Sequence, residues 1–446
     1  MSRVTFSLVR WLGLILAVTS LSTADALAQL ANGQTPILGK TVPKYVEPLA
    51  TFVGGRVDAA ANPNLTITMR ELSQQVLPAP NAILGIVGYP MTKVWGYEVQ
   101  AGGTVYPEHW PSFTIEAKRG IPVQVAYFND LGNQTLYTPF NHLIPGILPV
   151  DQTLHWAAPL GMPMAGHAMH TYDGPVPTVP HLHGGEVSSK SDGGPDAWFT
   201  PGFAQTGPAW SLAPADQVSN TYNYPNSQEA ATIWYHDHAL GATRLNVYAG
   251  LAGFYLLRDD KDTGQPNNPL GLPAGSYEIE MAIQDRMFDT QGQLYFPNAG
   301  INPTIHPFWL PEFFGDIMTV NGKSWPYLEV EPRRYRFRVL DGCNARFLSL
   351  WLMNLATATQ GPPIYQIGTD GGLLDAPVAL DPVLGGRLFL APGERADVII
   401  DFTGFAGQTL TLKNGAKAPY PNGVAADPKT TGQIMQFRVI KPLQGT

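Results

Sequence analysis

The chain has 446 residues, of which 41 are proline and 46 glycine and only 14% are charged, a composition that suits two domains of short strands and frequent turns. Its formal charge of -8 offers no basic surface for a phosphate backbone or an anionic membrane, so nucleic acid is excluded as an expected partner. A single cysteine, Cys343, rules out an intrachain disulfide and leaves stability to packing.

Residues 1–28 read as a secretory signal peptide: Arg3 and Arg10 precede an apolar stretch from Trp11 to Val18, and Ala26, Leu27 and Ala28 form a small-residue cleavage site. The mature protein is expected to begin at Gln29 and to be periplasmic or secreted. The apolar stretch is shorter than the roughly 20 residues that span a bilayer. No later segment is longer and equally apolar, so no membrane span is expected after signal removal.

From Phe113, FTIEA and VQVAYF alternate apolar and polar residues on either side of RGIP, which predicts a hairpin or meander. Tyr137 to Pro180 is rich in Pro, Gly, Met and His and reads as a long insertion between strands. Within it, Met162, Met164 and Met169 are interleaved with His167 and His170. Thioether and imidazole together suit Cu(I), and a loop whose methionines pack on the sandwich is the alternative.

Strand-like runs then recur between Gly and Pro: ATIWYHDH, LAGFYLL, YEIEMAI, YRFRVL, FLSLWL, ADVIIDF and IMQFRVI. This is the pattern of an all-β sandwich. The charged, turn-rich stretch 258–275 holds little to bury and reads as a linker, dividing a first domain, 29–262, from a second, 263–446.

Two histidine pairs carry the chemistry: His181 and His183 in VPHLHGG, and His236 and His238 in IWYHDHAL. Residues two apart on a strand face the same way, so each pair can aim both imidazoles into one site. Imidazole suits copper, zinc, iron or nickel, and ligand type alone does not choose among them.

The text around the pairs narrows the choice. HLHGGEVSSKSDGGPDAW and WYHDHALGATRLNVYAGLAGFYLL resemble the first two copper motifs of the multicopper oxidases, particularly the bilirubin oxidase and bacterial spore-coat laccase branch. The likeness continues through PEFFGDIMTVNGKSWPYLEVEPRRYRFRVLDGCNARF, IGTDGGLL, LAPGERADVIIDF and IMQFRV. It implies two consecutive cupredoxin-like Greek-key β-sandwich domains, copper as cofactor, molecular oxygen as acceptor and a phenolic or similar reducing substrate. It also implies His181 as a type 2 copper ligand and His183, His236 and His238 as type 3 ligands. Asp192, eleven residues after His181, matches the acid that delivers protons to oxygen in such enzymes. A buried carboxylate beside copper suits that role, and a turn residue in S-D-G-G is the plainer alternative.

The sequence also departs from the family. Full-length relatives carry a third domain with two further histidine-rich motifs and a cysteine that ligates type 1 copper. Here His109, His142, His155, His167, His170 and His306 form no further H-x-H, and none adjoins Cys343, which reads as a structural thiol. The expectation is therefore half of the trinuclear ligands, no type 1 site and no third domain within this chain. Three readings stay open: an oxidase component completed by a third-domain polypeptide, a non-catalytic exported scaffold, and a copper-binding protein.

Overall fold

The computed structural model describes residues 34–131, 176–210, 220–297 and 312–444. The signal segment and the stretch with Met162, Met164, His167, Met169 and His170 lie outside them.

The first sandwich faces two five-stranded sheets. One runs in the order Val57–Asp58, Ser112–Lys118, Ala252–Arg258, Ala231–Asp237, Pro180–His183. The other runs Thr104–His109, Thr92–Ala101, Asn64–Gln74, Val123–Asn129, Thr221–Tyr224. Alternating side chains from both, among them Ile67, Val99 and Tyr127 on one side and Ile115, Ile233 and Tyr235 on the other, share one buried cluster.

The expected pairing of FTIEA with VQVAYF does not occur. Ser112–Lys118 pairs with Val57–Asp58 and Ala252–Arg258, whereas Val123–Asn129 pairs with Asn64–Gln74 and Thr221–Tyr224 in the facing sheet. The RGIP connection crosses between sheets, held where Arg119 N donates to Arg258 O at 2.7 Å and Gly120 N to Asn226 O at 2.9 Å. Period-two patterning fixes which face is buried and is silent about the partner strand.

The second sandwich centres one sheet on Glu278–Phe288, Arg334–Asp341 and Arg395–Asp401, and the other on Leu348–Asn354, Thr409–Asn414 and Gln433–Arg438. Phe437 lies 5.3 Å from both Phe337 and Phe402 between the layers, measured between ring centroids. The molecule is all-β, as its alternating runs imply. Among the described residues no helix is long and apolar enough to cross a membrane.

The stretch 258–275 corrects the reading that it holds little to bury. Arg258 and Asp262 are buried, and they belong to an ionic cluster that joins the sandwiches. Arg258 reaches Glu116 at 2.6 Å and Glu278 at 2.7 Å. Asp262 is held by Arg336 at 2.7 Å and Arg338 at 2.8 Å, and Asp397 by Arg338 at 3.0 Å. Charges in such a place are tolerated because each is paired several times over.

Candidate metal centre

The strand Pro180–His183 lies antiparallel to Ala231–Asp237, with His181 opposite His236 and His183 opposite Trp234. Leu182, Tyr235 and Asp237 therefore turn into the first sandwich, and His181, His183, Trp234 and His236 share the opposite face. His238 follows the strand end, its backbone N–H donating to Val179 O at 2.7 Å. The imidazole centroid of His181 lies 5.6 Å from that of His183, 5.4 Å from His236 and 4.8 Å from His238. One ring nitrogen from each of His181, His183 and His236 falls within 4.8 Å of the others. All four expected histidines are thus brought together.

Hydrogen bonds decide which nitrogens are free. His236 Nδ1 is 2.7 Å from Asp237 O, and His181 Nδ1 faces Asp192 O. A ring nitrogen can meet a carbonyl oxygen only by donating, so both protons sit on Nδ1 and both Nε2 atoms keep a lone pair. His183 Nδ1 approaches His236 Nε2 at 3.2 Å, and His238 Nδ1 is buried with no partner among the described residues.

Burial also favours the neutral form of His183, His236 and His238. It pushes His183 down to about 4, with Arg395 and His181 adding to the effect. Burial holds His236 well below its ordinary value, and it lowers His238, each helped by the neighbouring His181. Three imidazoles held neutral by burial, with His181 beside them on the same face, are a donor set that fits copper.

Sequence reasoning missed the support beneath this face. Asp237, the middle residue of H-D-H, accepts from Val179 N at 2.9 Å, Ala239 N at 3.1 Å and Asn246 Nδ2 at 2.9 Å. It thereby fastens the start of one histidine strand to the end of the other and to the short helix Thr243–Ala249. Burial raises its carboxyl to about 7 against those three donors. The signal was present: alternation sends the residue between two outward histidines into the core, where an acid needs donors. Trp234 was missed too, and its indole lies 4.1 Å from His236 and 5.2 Å from His183 between ring centroids.

Asp192 departs from the buried carboxylate expected. Its side chain is 49% exposed, with Oδ1 3.4 Å from His181 Nδ1. It ends the tight turn Ser189–Ser191, so its carboxylate leans to solvent while its carbonyl meets His181. Gly193 next to it has φ 74°, and a Cβ there would stand 1.8 Å from Pro180 O, so the turn seats against the histidine strand only with glycine. Cys343 lies in the second sandwich, buried, its Sγ 3.9 Å from Ile283 O, and burial pushes its thiol well above the ordinary value.

A multicopper oxidase family model matches residues 176–262, the span holding the four histidines and Asp192. The chain is 41% identical over 358 residues to a laccase from Bacillus subtilis, an alignment covering 79% of this chain and 58% of that protein. Over these spans the chain is similar to the multicopper oxidases. A laccase from Haloferax volcanii is 35% identical over 433 residues, covering 95% of this chain and 62% of its own length. Among solved structures, the multicopper oxidase McoA from Aquifex aeolicus aligns with a TM-score of 0.59 at 24% identity, covering 90% of this chain and 66% of that one. That likeness shows the fold, and with it the cupredoxin-like sandwiches expected of a multicopper oxidase. The chain spans 58% to 62% of the length of these two laccases. Multicopper oxidases use copper, and copper is the cofactor the family assigns to this chain.

Proposed function

We propose that this chain carries the first-domain half of the oxygen-reducing centre of a laccase-like or bilirubin-oxidase-like multicopper oxidase, which couples oxidation of a phenolic or similar donor to reduction of oxygen to water. The observation that carries this reading is the gathering of four imidazoles on one face, three of them held neutral by burial. His181 would hold type 2 copper, and His183, His236 and His238 type 3 copper. Copper bound there supplies the one-electron steps by which oxygen takes up four electrons and four protons to give two waters.

The protein's own residues do the rest. Asp192, half in solvent and beside His181, takes protons from water and passes them toward the site. Asp237 holds both histidine strands in register, and Trp234 keeps water from the His183 and His236 rings. Cys343 has its thiol buried in the second sandwich, away from the histidine face, so the thiolate copper and the remaining cluster ligands are assigned to a third domain outside the described residues. The export reading completes the proposal: the protein works in the periplasm or outside the cell, without residues 1–28.

Copper analysis and oxygen uptake test this. The purified full chain is expected to retain copper, to lose it progressively with His183→Ala and His236→Ala, and to show neither intense blue absorption nor oxygen uptake with phenols by itself. Adding a third-domain polypeptide should restore both. A chain that takes up no copper would instead be the scaffold, and copper retention without oxygen uptake in the completed assembly would leave a copper-binding protein. Vigorous phenol oxidation by this chain alone would contradict the assignment of the thiolate site elsewhere.

A further inference from the structure

We propose that the second sandwich positions the copper-ligand strand by a clamp on Thr232, with Arg338 and Arg395 as the positioning residues. The inference rests on the copper reading above and adds a residue set outside the histidine motifs. Thr232, Trp234 and His236 alternate along Ala231–Asp237 and share the face turned toward the second sandwich. Arg338 Nη1 donates to Thr232 Oγ1 at 2.9 Å, and Arg395 Nε donates to Thr232 O at 3.0 Å. The strand Pro180–His183 pairs only as far as Trp234, so Arg395 bonds the ligand strand just beyond the end of that ladder.

Neither guanidinium is free to wander. Arg338 is also held by Asp262 and Glu278, each at 2.8 Å, and by Asp397 at 3.0 Å. Arg395 is held by Asp370 at 3.1 Å and by Gly393 O at 2.9 Å. A planar fork satisfied at several points is a rigid ruler. The two arginines stand on paired strands, Arg334–Asp341 and Arg395–Asp401.

Arg395 touches the other histidine strand as well. Gly184, which follows His183, has φ 87°, and a Cβ there would stand 2.5 Å from Arg395 Nη2. The arginine therefore occupies the space a side chain would need, and glycine is what lets it seat. A Cβ on Gly393 would lie 3.5 Å from His183 Cε1, so the same loop borders the imidazole. Between these contacts Trp234 packs with Ala282 and Leu340 of the second sandwich and against the rings of His183 and His236. One guanidinium thus sets the turn after His183 and the base of the strand that bears His236.

The test uses the full chain, metal-free and then titrated with Cu(II), in Arg395→Leu, Arg395→Lys, Thr232→Val and Arg56→Met forms. Arg56 joins the sandwiches through Glu278 and Glu280 without touching the histidine strands and serves as the control. In the metal-free protein, Arg395→Leu should speed hydrogen exchange across residues 231–238 while leaving 278–288 as in wild type. It should also weaken Cu(II) binding by about 10-fold and change the paramagnetic resonance spectrum, with Arg395→Lys restoring part of each effect. Thr232→Val loses one hydroxyl acceptor and should give a smaller shift of the same kind; it carries the comparison if Arg395→Leu fails to fold. Arg56→Met should lower the melting temperature and change neither exchange at 231–238 nor the copper spectrum. Unchanged exchange at 231–238 in both clamp variants, or equal changes in Arg56→Met, would overturn the clamp. A wild-type chain that takes up no Cu(II) would sink the copper reading instead, and hydrogen exchange would still judge the clamp.

Discussion

The histidine face and the ionic cluster between the sandwiches are both polar groups set into an apolar body, and they settle their polarity in opposite ways. In the cluster every guanidinium is spent: Arg336 reaches Asp262 and Asp397, and Arg338 reaches Asp262, Glu278, Asp397 and Thr232. On the histidine face donor capacity is left over: among the described residues His238 Nδ1 is buried without a partner, and His183 hydrogen-bonds to another histidine. Satisfied polar groups hold a structure together, and unsatisfied ones convergent on one point mark a place for something else.

The ionic cluster should respond most strongly to a single substitution. Arg336→Met strands Asp262 and Asp397 without a main partner, and the folded state should lose about 3–5 kcal/mol in guanidinium denaturation. Copper affinity of the folded variant should stay as in wild type, because Arg336 makes no contact with the histidine strands among its bonds. A loss of copper equal to that of a histidine variant would erase the distinction between the two regions.

Acid should attack the same region next. Burial would raise Glu278 and Asp262, but Arg338 with Arg258 holds the first, and Arg338 with Arg336 the second, below the ordinary carboxylate range. A depressed folded pKa gives stability that is fully present above the unfolded value of about 4 and is lost as pH falls toward the folded one. Denaturation midpoints measured from pH 7 to pH 3 should therefore hold down to about 5 and drop steeply below about 4. A midpoint that is flat down to pH 3 would mean these carboxylates are not held by their arginines.

On the histidine face the effects are smaller and fall on binding. Asp237→Asn places an amide among three donors, Val179 N, Ala239 N and Asn246 Nδ2, and one of them must lose its acceptor. Copper affinity should fall about 10- to 100-fold by calorimetric titration, with less loss of stability than Arg336→Met. Asp192→Asn should do least to affinity, under about fivefold, because its main-chain carbonyl rather than its exposed carboxylate holds His181. Its effect belongs to the oxygen-reduction rate in a completed assembly.

The sequence made the histidine face legible because two-residue spacing on a strand is enough to place imidazoles on one side. It did not reveal Asp237 and Trp234 as supports, since their roles depend on which strand lies opposite and which domain covers the face. The ionic cluster was legible in part. Arg336 and Arg338 alternate in YRFRVL, and the structure sets them in register with Glu278 and Glu280 of the neighbouring parallel strand. Charges at alternate positions in a strand with buried flanks must find opposite charges, but the sequence alone does not name the strand that brings them. The hairpin expected from FTIEA and VQVAYF failed for that reason too, and the exposure of the Asp192 side chain was not legible because it is set by the loop that carries it.

Anomalous X-ray diffraction from copper-loaded crystals of the full chain, collected on both sides of the copper absorption edge, decides whether the histidine face holds copper. Anomalous peaks are expected within about 2.0–2.1 Å of ring nitrogens of the His181, His183, His236 and His238 group, the nitrogen–metal distance known for zinc. Copper-edge peaks found only elsewhere in the molecule, with these four rings left bare, would contradict that expectation.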